Sequence, residues 1–112
     1  VWDFDWMSFI PGRKGALITQ ALWYGYLFKH DSFKSLVQER WLALKPEFEK
    51  VLTYIDEKAE YIRESNEINL EMWPVTQNVN EDIDLSYDDA VNRMKEAYRE
   101  RITELDKVIS NY

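Results

Sequence analysis

Pro46-Glu47-Phe48-Glu49-Lys50-Val51-Leu52-Thr53-Tyr54-Ile55-Asp56-Glu57-Lys58-Ala59-Glu60-Tyr61-Ile62 carries Phe48, Val51, Leu52, Ile55, Ala59 and Ile62 at intervals of three and four. That rhythm lines one face of an α-helix and cannot line one face of a strand. The same spacing continues through Ser65, Asn69 and Met72 to Trp73, where Pro74 stops it. Pro46 suits the first turn of a helix, where the amide it lacks would be unpaired anyway. The expected helix over 46–73 is long, roughly 42 Å at 1.5 Å per residue.

Upstream, Phe33, Leu36, Val37, Trp41 and Leu44 supply the buried stripe of a preceding helix over 31–45. Asp31 is its natural N-cap, and His30 closes the helix before it. That earlier helix is expected over 16–30, with Leu17, Ala21, Tyr24 and Phe28 on one stripe and Leu22, Trp23 and Leu27 widening it. A helix apolar on so many sides is expected to be buried within a larger body. Downstream, residues 74–85 show no sustained period and form a polar loop. Ser86 then opens a helix over 86–111, with Asp89 three residues on giving an approximate capping box. Val91, Met94, Tyr98, Ile102, Leu105 and Ile109 line its inner face. Two long amphipathic helices joined by one loop are expected to pack antiparallel. The fold class is therefore mainly α, about four helices preceded by a short N-terminal β-strand.

That strand is residues 1–10. Val1-Trp2-Asp3-Phe4-Asp5-Trp6 alternates with a period of two, so an extended chain places Trp2, Phe4 and Trp6 on one face and Asp3 and Asp5 on the other. Two adjacent carboxylates repel unless water or a divalent cation lies between them. Asp3 and Asp5 are thus candidate metal ligands, and equally the solvated acids of a half-buried strand. An exposed aromatic strand could also pair edge to edge and make a homodimer. A chain that opens in the middle of such a motif is expected to be part of something larger.

At 112 residues the chain is at most one small domain, and 46% hydrophobic residues make it globular. It has no cysteine, which excludes disulfides, thiolate metal sites and a cysteine nucleophile. Its apolar runs are short and interrupted, so no transmembrane helix is expected. The net charge of −7 falls on the later part of the chain, where 46–112 holds seventeen acids against eight bases. Nucleic acid is a poor partner for such a surface; solvated helix faces explain it. His30 stands apart from any cluster at ligand spacing. Gly12-Arg13-Lys14-Gly15 lacks the strand and spacing of a phosphate loop and reads as a plain basic loop. Trp23, Trp41 and Trp73 sit where core packing, rather than sugar stacking, is the usual role.

Val1-Trp2-Asp3-Phe4-Asp5-Trp6 resembles the P-W-D-[FY]-D signature of the CotH family, kinase-like proteins of spore coats and of bacterial surface and secreted proteins. Leu22-Trp23-Tyr24, Leu27-Phe28 and Phe33 to Trp41 are similar to its LF-x-D-x-x-F-x-x-x-V-x-x-R-W stretch. Asn66, Asn69 and Trp73 resemble the end of its long helix, and Arg101, Leu105 and Asp106 its closing R-x-x-x-LD helix. The resemblance spans nearly all of the chain, and only its opening motif is specific. It implies an atypical protein kinase fold in which the W-D-F-D segment takes the place of the metal-binding DFG element. Asp3 would then hold Mg²⁺ on the phosphates of ATP, with Asp5 as a second ligand or a modulator. The lysine-bearing strand, glycine-rich cover and catalytic-loop Asp and Asn are not in this chain. The resemblance therefore implies an intact parent that phosphorylates a protein substrate at the cell surface, outside the cell or in a spore coat. The chain alone, as the C-terminal helical portion, is expected to be inactive and to bind neither Mg²⁺ nor ATP. The alternative is a non-enzymatic helical interaction or structural module.

Overall fold

In the computed structural model, residues 12, 14–76 and 83–112 are described. A single 3-10 turn, Leu17–Gln20, leads to a one-turn helix α1, Tyr24–Leu27. A long helix α2, Asp31–Met72, follows, and α3, Tyr87–Ser110, ends the fold. The molecule is mainly helical, as the periodicity predicts. The expected strand over 1–10, Asp3 and Asp5 included, lies outside the described residues, as does the 77–82 part of the expected loop.

α2 and α3 pack antiparallel. Gln38 at the start of α2 donates its amide to the Ile109 carbonyl near the end of α3 (3.1 Å). Tyr98 donates its hydroxyl to the Phe48 carbonyl (3.0 Å), Lys95 pairs with Asp56, and Tyr87 donates to the Ala59 carbonyl (2.8 Å). The seam between them holds the core. Trp41, Ile102 and Ile109 are buried together, with Val37, Tyr98, Leu105 and Tyr112 packed around them. Ile55 and Ala97 are the other buried apolar residues. Phe28 meets Phe33 and Tyr112 edge-on, at 5.1 and 5.0 Å between ring centroids, and so closes that end of the pair.

The boundary expected at Pro46 is absent. The helices predicted over 31–45 and 46–73 are one continuous α2, with Pro46 in its interior. A proline there removes one backbone hydrogen bond and crowds the carbonyl four residues back. Contacts on both sides of it oppose the break. Trp41 and Lys45 hold α3 through Asp106, and Phe48 receives the Tyr98 hydroxyl. The Trp41 and Phe48 rings also stack across the proline turn, 5.7 Å apart and 24° from parallel. Pro46 itself is exposed, where water can take the place of the missing donor.

The helix predicted over 16–30 is likewise corrected, to a 3-10 turn and a single α turn. The chain breaks at Leu22, whose φ of 44° is left-handed and unusual for a residue with a side chain. Helices in proteins draw most of their stability from burying an apolar face. Here Leu22 (82%), Trp23 (68%) and Tyr26 are exposed, so nothing offsets the low helix propensity of an aromatic-rich stretch. Of the three tryptophans assigned to packing, Trp41 is buried, whereas Trp23 and Trp73 are exposed. Leu36, placed on the buried stripe by spacing, is exposed too.

The helix starts differ in kind. His30, not Asp31, is the N-cap residue of α2, with extended backbone and no side-chain capping bond. Asp31 is the first helical residue; its carboxylate pairs with Lys34 (2.9 Å) and adds negative charge where the helix dipole favours it. α3 follows its sequence signal closely. The Ser86 hydroxyl oxygen accepts from the Asp89 amide (3.1 Å), while Asp88 and Asp89 fill the first turn.

Candidate functional site

The residues that the sequence offers as candidate metal ligands, Asp3 and Asp5, lie outside the described residues. The described chain does show how the segment downstream of them is held. Gly15 docks on α3 through both of its backbone groups. Arg101 donates from Nη1 to the Gly15 carbonyl (2.7 Å), and the Gly15 amide donates to Glu104 Oε1 (3.2 Å). Arg101 and Glu104 are three apart and so share one face of the helix. Gly15 has φ of +73°, in the left-handed region that glycine enters without a Cβ penalty.

A second anchor lies about one turn further along α3. Asp106 accepts from the Trp41 indole N–H on Oδ1 (2.8 Å) and from Lys45 Nζ on Oδ2 (2.9 Å). The Lys45 hydrogen bond, then that from Trp41, holds the Asp106 carboxyl below the usual carboxylate value. Asp106 in turn raises Lys45 above the usual lysine value. Trp41 supplies buried area and a polar tip at once, and a buried indole N–H needs such a partner. Arg101, Glu104 and Asp106 thus tie Gly15, α2 and α3 together at one end of the helical pair.

Two expected outcomes follow from these anchors. Gly15→Ala should destabilise the protein by about 1–2 kcal/mol from left-handed strain alone. No atom outside its chain neighbours lies within 4 Å of the added Cβ, so crowding does not contribute. Equal urea midpoints for the two proteins would show that the left-handed turn is not needed. The Asp106 pair should also give stability a defined pH dependence. Asp106 has a lowered pKa in the fold, so its contribution is complete above the unfolded value and is lost as pH falls below about 4. Lys45 has a raised one, so its contribution is complete below the unfolded value and is lost as pH rises above about 10.5. The stability gap between the protein and Asp106→Asn should stay level at neutral pH and narrow towards both extremes. A gap that changes steadily across neutral pH would contradict this assignment.

The remaining sequence candidates are dispersed. His30 stands at the cap of α2, in extended conformation and without a side-chain capping bond. Lys14 is exposed, Gly12 shares the +73° φ of Gly15, and Arg13 lies outside the described residues. Asn66, Asn69 and Trp73 lie at the opposite end of α2 from the Asp106 anchor. Among the described residues, no three His, Cys, Asp or Glu side chains gather closely enough to hold a metal ion, and no helix is long and apolar enough to cross a membrane. Glu104 and Lys45 were not legible as anchors. Their partners lie far away in the chain, and the only local signals were the three-residue spacing from Arg101 and the four-residue spacing from Trp41.

No family model, curated protein or solved structure matches the chain.

Proposed function

We propose that this chain is the C-terminal helical part of a CotH-like, kinase-related domain, in which α2 and α3 form the platform that positions the segment bearing Asp3 and Asp5. The observation that carries the reading is the double grip of Arg101 and Glu104 on Gly15, twelve residues after Asp3. Supporting it, Trp41, Arg101 and Asp106, all residues of the resemblance, work at the same end of the helical pair. A strand ending in a tethered glycine turn would enter a site at a set position, as a metal-holding carboxylate requires.

In the intact parent, Asp3 would hold Mg²⁺, with Asp5 beside it as second ligand or modulator. Two carboxylates are suitable donors for that hard cation. Bound Mg-ATP would supply the phosphoryl group for a protein substrate of a cell surface or coat layer. The other catalytic elements would come from outside these 112 residues.

Calorimetry on the longer parent tests this. Mg²⁺-dependent ATP binding is expected, and Asp3→Ala should weaken it by about a hundredfold or more, the scale of losing a charged partner of bound phosphate and metal. Unchanged binding in Asp3→Ala, or none in the parent, would overturn the proposal. The 112-residue chain should show no measurable ATP binding, and a micromolar affinity would contradict its role as platform only. The second reading, a non-enzymatic interaction module, draws on the exposed Ile18, Leu22, Trp23 and Tyr26. It predicts that the parent binds no nucleotide while alanine at Trp23 and Tyr26 abolishes partner binding. Edge pairing through residues 1–10 would add a dimer to either reading, visible as a doubled mass in light scattering.

A further inference from the structure

The second half of α2 carries an apolar stripe that α3 does not cover. Tyr54, Tyr61 and Ile68 recur every seven residues and Met72 follows Ile68 by four, so all four lie along one side of the helix. Each is exposed, Tyr61 to 81%, Ile68 to 52% and Met72 to 59%. From Tyr54 to Met72 the stripe runs about 27 Å. Among the described residues, hydrogen bonds from the start of α3 meet α2 at Ala59 and Arg63, through Tyr87 and Asp88, and Ile68 and Met72 lie beyond them along α2. Lys58 lies over both tyrosine rings, 5.2 and 5.5 Å from their centroids. Single exposed apolar residues are ordinary, but four aligned along one side of a helix are not.

Beside the stripe runs an acidic one. Glu57, Glu64 and Glu71 repeat at the same interval of seven, with Glu60 and Glu67 between them. Among the described residues Glu60 pairs with Arg63, and no ion pair engages the other four. Both stripes have the period of a packed helix. An apolar seam flanked by glutamates is complementary to a helix with an apolar face and a lysine- or arginine-rich edge. A second copy of this chain fits less well, because it would bring glutamate rows and two net charges of −7 together.

We propose that the Tyr54–Tyr61–Ile68–Met72 face is a docking site for a basic amphipathic helix of a partner protein. This goes beyond the kinase-platform reading and does not depend on it. The test uses a synthetic helical peptide of leucine and lysine in heptads, and a twin with glutamate in place of lysine, titrated calorimetrically into the 112-residue chain. The lysine peptide should bind, the glutamate twin should not, and added salt should weaken the complex. Tyr61→Glu with Ile68→Glu should reduce affinity at least about tenfold, while Tyr61→Phe keeps it. Reversing Glu64 and Glu67 to lysine should weaken the lysine peptide and admit the glutamate twin. These positions are exposed, so unchanged thermal melts confirm that the fold persists in each variant. Binding indifferent to the charge swap or to the seam substitutions would overturn the proposal. So would loss of binding on Trp23→Ala with Tyr26→Ala, or a seam-dependent dimer in sedimentation.

Discussion

Trp41→Ala is expected to bring the protein to the edge of unfolding at room temperature. The residue is 9% exposed and joins Ile102 and Ile109 in a buried cluster between α2 and α3. Removing a large aromatic from such a site costs about 3–5 kcal/mol, against a total stability of about 5–15 kcal/mol for a domain. A domain of about a hundred residues sits low in that range. Two further losses accompany the cavity. The stack on Phe48 that spans the proline turn disappears, and Asp106 keeps only Lys45 as its partner. Trp41→Phe separates these effects, because it retains most of the buried area and loses the indole N–H. It should fall between the two proteins in a urea titration followed by circular dichroism. A Trp41→Ala variant with an unshifted midpoint would mean that the cluster does not hold the helices together.

The second large effect has the opposite sign. Pro46→Ala is expected to stabilise the protein by about 2 kcal/mol. Alanine is about 3 kcal/mol better than proline in a helix interior, and the unfolded chain recovers about 0.5–1 kcal/mol of freedom when proline is removed. Pro46 is exposed, so no packing is lost. The variant also discriminates between two architectures. If a new helix began at residue 46, proline would sit at a favoured first-turn position, and alanine there would be neutral or harmful. A raised urea midpoint supports the continuous α2, and a lowered one supports two helices meeting at Pro46.

Legibility differed sharply between elements. α3 was readable almost to the residue because everything that makes it is local: a serine cap, two acids in the first turn, and an apolar face at steady spacing. α2 was readable in content but not in extent, since proline is a strong local stop that only distant contacts can override. Residues 16–30 depart from their local pattern for the converse reason. Their apolar spacing suits a helix, yet Leu22, Trp23 and Tyr26 meet no surface that would reward one. At the candidate site, the resemblance singled out Trp41, Arg101 and Asp106 without saying what they hold. Their partners, Lys45, Gly15 and each other, appear only once α2 and α3 are in register.

The mainly helical class, the start and inner face of α3, and the apolar rhythm of α2 are all written locally in the chain. Those properties follow from caps and periods that act within a few residues. That α2 runs through Pro46, that residues 16–30 do not form one helix, and that Asp106 and Arg101 serve as anchors depend instead on contacts between distant parts of the chain. In each case a local preference of one to three kcal/mol is about the size of a single long-range contact. The winner is set by which surfaces the folded chain brings together.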